Sequence, residues 1–246
     1  MKALHRAMLL FRDTFLHRRY WRYVGDFIRF RRLSRETGAR FKVRWADRQP
    51  MLNERGAETA FDAHYTYHPA WAARIVADLH PSMHIDIGSA LQFATIVSAF
   101  VPVDFYDFRP ASLSLSGLAS RRGDLARLPF DDASIESISC MHVVEHVGLG
   151  RYGDPLDPSG DLKAMAELQR VLAERGSLLF VVPVGKPCLR YNAHRIYAFQ
   201  QVMSEFSALK LRQFSLIDDK GSFIPNARPE DANAQLYGCG CWWFIK

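Results

Sequence analysis

The sequence predicts an α/β fold: a doubly wound, mostly parallel sheet with a C-terminal antiparallel strand and an N-terminal helical extension. Three observations carry that expectation. From Met83 onward, short apolar runs alternate with segments of helical period, which is the pattern of βα units. The first two runs end in acids, Asp86 and Asp107, and the first then turns through Gly88 into a helix. Two late apolar runs, residues 211–217 and 239–245, are spaced to pair as an antiparallel hairpin at one edge.

Taken in order, residues 1–35 read as a helix. Tyr20, Trp21, Val24, Phe27, Ile28 and Arg31 recur on one face, while Arg18, Arg19, Arg22, Arg29 and Arg32 fall largely elsewhere. Gly38, Pro50 and Gly56 break regular structure over residues 36–64. Two regions follow: a basic helical extension, residues 1–64, and an α/β domain, residues 65–246. A helix over 69–79 places Pro69 in its first turn. Strands over 83–87 and 103–106 flank a helix over 91–100. The run Ile135–Met141 is the next strand. A helix over 161–172 turns Leu162, Met165, Ala166, Leu168 and Leu172 inward, and Arg175-Gly176 supplies its C-cap. Residues 177–182, apolar from Leu178 onward, read as a parallel strand buried on both faces.

With 246 residues, 48% of them hydrophobic, the chain can fill one core and carry an added helical piece. No apolar run approaches the roughly 20 residues that span a bilayer, and the start of the chain lacks a signal-peptide pattern. Cys140, Cys188, Cys239 and Cys241 show no metal-ligand spacing and suit a reduced, cytoplasmic setting. Cys239 and Cys241 share one face of a strand. Residues 1–50 hold 14 Lys/Arg against 4 Asp/Glu, whereas the remainder carries a net −4. The basic character therefore belongs to the extension. That extension is read as a cap on the sheet with Trp21 and Phe27 buried, the alternative being a peripheral contact with the inner face of an anionic membrane. No nucleic-acid-binding module is visible, and no nucleic-acid partner is expected.

The candidate chemistry gathers at strand ends. Asp107 follows Asp86 at the interval at which an acid on the next strand tip accepts hydrogen bonds from ribose hydroxyls. Asp124 follows Gly123 ahead of Leu128-Pro129-Phe130. The strand 135–141 then runs into His142 and the pair Glu145-His146. A glycine-rich loop, residues 148–161, brings Arg151, Asp154, Asp157 and Asp161. The spacing of these aspartates is not that of a calcium loop, so they read as turn formers and no metal is expected. His194 and Arg195 lie in a polar loop beyond the buried strand.

The order of acid, Leu-Pro-Phe, apolar strand and Glu-His resembles the middle of class I S-adenosylmethionine-dependent methyltransferases. The strings GLGRYGD and NAHR, with HYTYHPAWAARI and HIDIGS, resemble a methyltransferase-like family of unknown function associated with bacterial surface-polysaccharide gene clusters. The resemblance spans residues 57–197. It implies a sheet of the class I methyltransferase type and S-adenosyl-L-methionine as cofactor. Asp86, Gly88 and Ser89 would hold the methionine end, His142 would be a further cofactor-binding residue, and the Glu145-His146 pair would shape the site near the sulfonium. Asp124 and the Leu125 amide would receive the adenine. The family's glycine loop is incomplete, since Ala90 and Gln92 replace two glycines.

The expected activity is methyl transfer to a hydroxyl of a saccharide or glycan acceptor. His194 is ranked first as the base and His146 second, with Glu145 beside them and Arg151 and Arg195 anchoring the acceptor. Arg195 is expected to keep His194 neutral by like-charge repulsion. The alternative is a non-catalytic scaffold for a polysaccharide enzyme.

Overall fold

The computed structural model describes the backbone of residues 2–246 and the side chains of residues 17–246. The chain divides into two compact units, Met1–Phe61 and Asp62–Lys246. In the first, a long helix α1 (Lys2–Glu36) is followed by irregular chain with one 3-10 turn, Trp45–Asp47. None of its described side chains is buried. Phe27 packs edge-on against Trp45 with ring centroids 4.8 Å apart, and Tyr23 approaches the same indole. Trp21 is 58% exposed, contrary to expectation. The half-buried face runs through Tyr20, Tyr23, Val24 and Phe27, so Trp21 and Ile28 fall just off it.

The second unit opens with α2 (Ala63–Leu79), which starts a turn and a half before Pro69. Asp62 caps it, its carboxylate accepting from the Tyr65 N–H at 3.1 Å. Pro69 therefore sits inside the helix. The burial of Trp71, Ala72, Ile75 and Val76 offsets the hydrogen bond that proline cannot make. Next come β1 (His84–Ile87), α3 (Leu91–Val97), β2 (Val103–Asp107) and β3 (Leu118–Arg122). β3 is an edge strand of polar and small residues, LASRR, which hides it from an apolar-run reading. The chain continues through β4 (Ile135–Met141), α4 (Gly160–Val171) and β5 (Leu172–Val184). Leu162 is exposed on α4, and its inner face is Asp161, Ala164, Met165, Leu168 and Val171. Arg175-Gly176 does not cap that helix. It lies within β5, where Arg175 takes a left-handed conformation, φ 65°, at the strand's irregular start.

A small hairpin, β6 (Cys188–Arg190) with β7 (His194–Ile196), precedes α5 (Phe199–Glu205), β8 (Lys210–Ile217), β9 (Phe223–Ile224), α6 (Pro229–Asn233) and β10 (Gly238–Ile245). The eight-stranded sheet has the order β3-β2-β1-β4-β5-β10-β8-β9. Its first five strands are parallel, and β10 is antiparallel to both β5 and β8. The two late strands do pair, but not as an edge hairpin. β10 is laid along β5 from Gly238 opposite Val184 to Ile245 opposite Ser177. Its alternate residues are buried on both faces, including Trp242 and Phe244 on one and Cys239 and Cys241 on the other. Side chains of α2 and α3 fill one core and those of α4 and α5 the other. The strand order reverses between β1 and β4, so their C-terminal ends flank the crevice where such sheets take ligands.

Candidate functional site

The floor of the crevice is a buried polar chain. His84 bridges Ser137 Oγ and Ser139 Oγ, each at 2.8 Å. Ser139 donates to Asp86 Oδ1 at 2.5 Å, and Ser89 donates to the same oxygen at 2.6 Å. Ser139 thus accepts from His84 Nε2–H, and His84 Nδ1 accepts from Ser137. Burial holds His84 neutral, its pKa lowered to about 3, and lifts Asp86 to about 7. Asp86 Oδ2 is buried without a partner. The Ser89 hydroxyl, expected to meet a ligand, also accepts from the Met141 N–H at 3.1 Å, so it welds β1 to β4.

Above this floor, a cleft of about 230 Å³ is lined by Gly88, Asp107, Asp124, Leu125, His142 and Val143, with Tyr106 and Arg109. Asp107 Oδ1 accepts from the Arg109 N–H at 2.6 Å. Its other oxygen lies 3.6 Å from where a Cβ on Gly88 would stand. That Cβ would also press on Val143 at 3.2 Å, and Gly88 has φ +65°, so only glycine leaves this approach open. Asp124 Oδ1 accepts from the Ala126 N–H at 2.9 Å, a turn that sets Leu125 on the cleft wall. Ala90 sits at φ −57° without strain, at the N-cap position of α3, where it makes no side-chain cap.

A second cleft, about 610 Å³, is lined by Gly88, Ser89, Ala90, Glu145, Arg151 and His194, among others. It shares Gly88, His142, His146 and Tyr152 with the first. The Gly88–Ala90 turn therefore borders open space. His142 has φ 58°, a left-handed conformation that a β-carbon makes costly. Its Nδ1 pairs with Glu145 Oε1 at 2.8 Å. Glu145 is 1% exposed, and its Oε2 is buried without a partner, as is His142 Nε2.

His146 Nδ1 lies 2.6 Å from the Ala193 carbonyl. A carbonyl only accepts, so Nδ1 carries the proton and Nε2 the lone pair. Arg151 Nη1 lies 3.3 Å from the same Nδ1, but it too donates to the Ala193 carbonyl, at 3.0 Å. Burial lowers the His146 pKa, against the pull of Glu145. His194 opens on the larger cleft, with its ring 4.9 Å from that of Tyr237. Burial and then the charge of Arg190 lower its pKa; Arg195, the expected cause, is not among the leading ones.

Arg195 departs furthest from expectation. It is half-buried, pairs with Asp161 at 3.4 Å and donates to the Val147 and Pro158 carbonyls. It braces the 148–161 loop and lines neither cleft. Asp161 is occupied by Arg195 and by the Tyr197 hydroxyl at 2.9 Å. Asp154 accepts from the Gly148, Gly150 and Tyr152 amides, and Asp157 from Ser159 and Lys163. The three aspartates are thus spent on the loop. Gly148 has φ +81°, and a Cβ there would run into the Asp157 carbonyl. Tyr152, which the loop presents to both clefts, lies under the guanidinium groups of Arg109 and Arg151.

Sequence reasoning missed Tyr65 and Tyr237, which line the larger cleft, and His64 and His68, which pack against His142. Burial keeps His64 and His68 neutral, with His64 lowered to about 4. The string HYTYH at residues 64–68 was the available signal.

A family model described as "Caenorhabditis protein of unknown function, DUF268" matches residues 125–215, less than half of the chain. No curated protein matches by sequence. Among solved structures, the fold is similar to the 1,6-didemethyltoxoflavin-N1-methyltransferase of Burkholderia thailandensis, crystallised with 1,6-didemethyltoxoflavin and S-adenosylhomocysteine. The TM-score is 0.54 at 12% identity, over 73% of this chain and 78% of that one. It is also similar to the N-methyltransferase NodS of Bradyrhizobium japonicum, in two structures. One, with S-adenosylhomocysteine, has a TM-score of 0.50 at 14% identity, over 72% of this chain and 85% of that one. The other has a TM-score of 0.51 at 14% identity, over 75% and 97%. The α/β unit of this chain therefore has the class I methyltransferase fold, with the antiparallel strand β10 inside its sheet.

Proposed function

We propose that the chain is an S-adenosylmethionine-dependent methyltransferase acting on a hydroxyl of a saccharide acceptor in surface-polysaccharide synthesis. The observation that carries the reading is the smaller cleft, where Gly88, Asp107, Asp124 and Leu125 converge on a methyltransferase fold. Bound S-adenosylmethionine would supply a methyl group already activated on a cationic sulfur. Asp107 would accept from ribose hydroxyls and Asp124 from the adenine amino group, against the wall formed by Leu125. The Cβ-free face of Gly88 leaves room for the chain of the cofactor. His142 borders both this space and the acceptor cleft and pairs with Glu145, which lines the acceptor cleft, so a carboxylate would stand one residue back from the cation.

The larger cleft offers hydrogen-bonding groups (His146, Arg151, Asn192, His194) beside the rings of Tyr65 and Tyr237. Such a mixture suits a polyhydroxylated acceptor. His146 lines both clefts and holds its Nε2 lone pair in a fixed tautomer, which favours it over His194 as the group that takes the acceptor's proton. Holding acceptor and methyl group in line supplies most of the rate.

Titration calorimetry of the full chain with S-adenosylmethionine and S-adenosylhomocysteine tests the reading. One site per chain is expected. No heat and no thermal shift at millimolar cofactor would leave the non-catalytic scaffold, which the missing glycines at Ala90 and Gln92 favour.

A further inference from the structure

Three segments remote in sequence meet behind the larger cleft: the first turns of α2 with His64 and His68, the turn after β4 with His142 and Glu145, and the start of β10 with Cys239. One ligand atom each of His64, His142 and Cys239 lies within 4.8 Å of the other two. The His64 and His142 rings are nearly parallel, 8° apart, with centroids at 5.7 Å. The His68 ring stands edge-on to His142 at 5.0 Å.

The proton positions follow from the partners. His142 Nδ1 faces the Glu145 carboxylate, so its N–H is there and its Nε2 carries a lone pair. His68 Nδ1 faces the His64 carbonyl at 2.6 Å, so its Nε2 also carries a lone pair. Both Nε2 atoms are buried without a partner, and so is Glu145 Oε2. Buried polar atoms in native cores are almost always satisfied. All three orphans here are electron-pair donors, and together they call for a cation or a proton donor.

We propose that His64, His142 and Cys239 bind a divalent transition-metal ion, zinc in the first instance, at the wall of the larger cleft. Imidazole and thiolate ligands select zinc and its neighbours over magnesium or calcium, which take oxygen. Three protein ligands leave a fourth tetrahedral position for His68 Nε2, a water or an acceptor oxygen. The Glu145–His142 bond is the carboxylate-to-imidazole support that metal-bound histidines use. The thiolate of Cys239 and the carboxylate of Glu145 together balance the ion's two positive charges. Tetrahedral zinc sets its ligand atoms roughly 3.3–3.8 Å apart, so the ion draws these side chains in by about an ångström. The Cys239 thiol releases its proton to solvent as the sulfur–metal bond forms. The site stands independently of the methyl-transfer reading.

The experiment uses the tag-free full chain, stripped with chelator and titrated with zinc and with cobalt. About one equivalent of zinc is expected, and cobalt should give a thiolate-to-metal charge-transfer band. Cys239→Ser should abolish that band. His64→Gln, at a half-buried position that tolerates change, should weaken zinc binding by at least about 100-fold. Glu145→Gln, acting through His142, should weaken it about 10- to 100-fold and keep the band. Sub-stoichiometric zinc with no band overturns the proposal, as does equal affinity in wild type and His64→Gln. Titrating the same samples with S-adenosylhomocysteine separates the two readings. An intact cobalt band without cofactor binding upholds the metal site and removes the methyltransferase.

Discussion

Asp107 is the residue on which the cofactor reading turns most directly. One of its oxygens is held by the Arg109 amide and the other faces the cleft beside Gly88. Asp107→Ala is expected to weaken S-adenosylhomocysteine binding by roughly 1.5–3 kcal/mol, about 10- to 150-fold, the worth of hydrogen bonds to a charged group. Calorimetry reads this directly. The two candidate bases separate in kinetics. His146→Gln should lower turnover about 10²- to 10⁴-fold with cofactor affinity nearly unchanged, and His194→Gln by much less. The reverse order would return the role to His194. Asp86 predicts a pH dependence of stability. Its folded pKa, about 7, lies above the unfolded 3.8, so the native state holds an extra proton between those values. The stability this group contributes is complete below about pH 4 and is lost as the pH rises to about 7. Asp86→Asn keeps an acceptor for Ser89 and Ser139 and removes the titration. Denaturant curves should show the variant gaining on wild type from about pH 4 to about pH 8, by up to about 4 kcal/mol.

At the scale of elements, the strand–turn–helix at Gly88 and the strand running into His142 were legible, because each is specified by a few adjacent residues. The start of α2 was not. Pro69 reads locally as a helix beginning, yet Asp62 supplies the cap and buried Trp71 and Ile75 supply the packing. Arg195 was misread for a similar reason. Its direction is set by the pairing of β7 with β6, which turns it onto Asp161 and the loop carbonyls. Among the described residues, no helix is long and apolar enough to cross a membrane. α1 instead exposes Trp21, Ile28, Phe30 and Leu33 beside its arginines. We propose that it makes a peripheral contact with anionic lipid. The full chain should then co-sediment with anionic vesicles more than a chain lacking residues 1–61, and the difference should fade with salt. Equal sedimentation of the two would refute this.

For the whole molecule, β10 is the strand that joins the parallel half of the sheet to its late half. Trp242 is fully buried there, with Phe214 and Phe180 at 4.9 and 6.1 Å. Trp242→Ala should cost about 3–5 kcal/mol, read as a lower denaturant midpoint. By itself the sequence determined the fold class, the acids at the tips of β1 and β2, and the Glu-His turn after β4. Those features depend on period and on neighbours along the chain. Only the tertiary structure decided that β10 lies between β5 and β8, that Arg195 braces a loop, and that His64, His142 and Cys239 meet. These depend on which remote segments are brought together, and burial then selects which of their polar groups find partners.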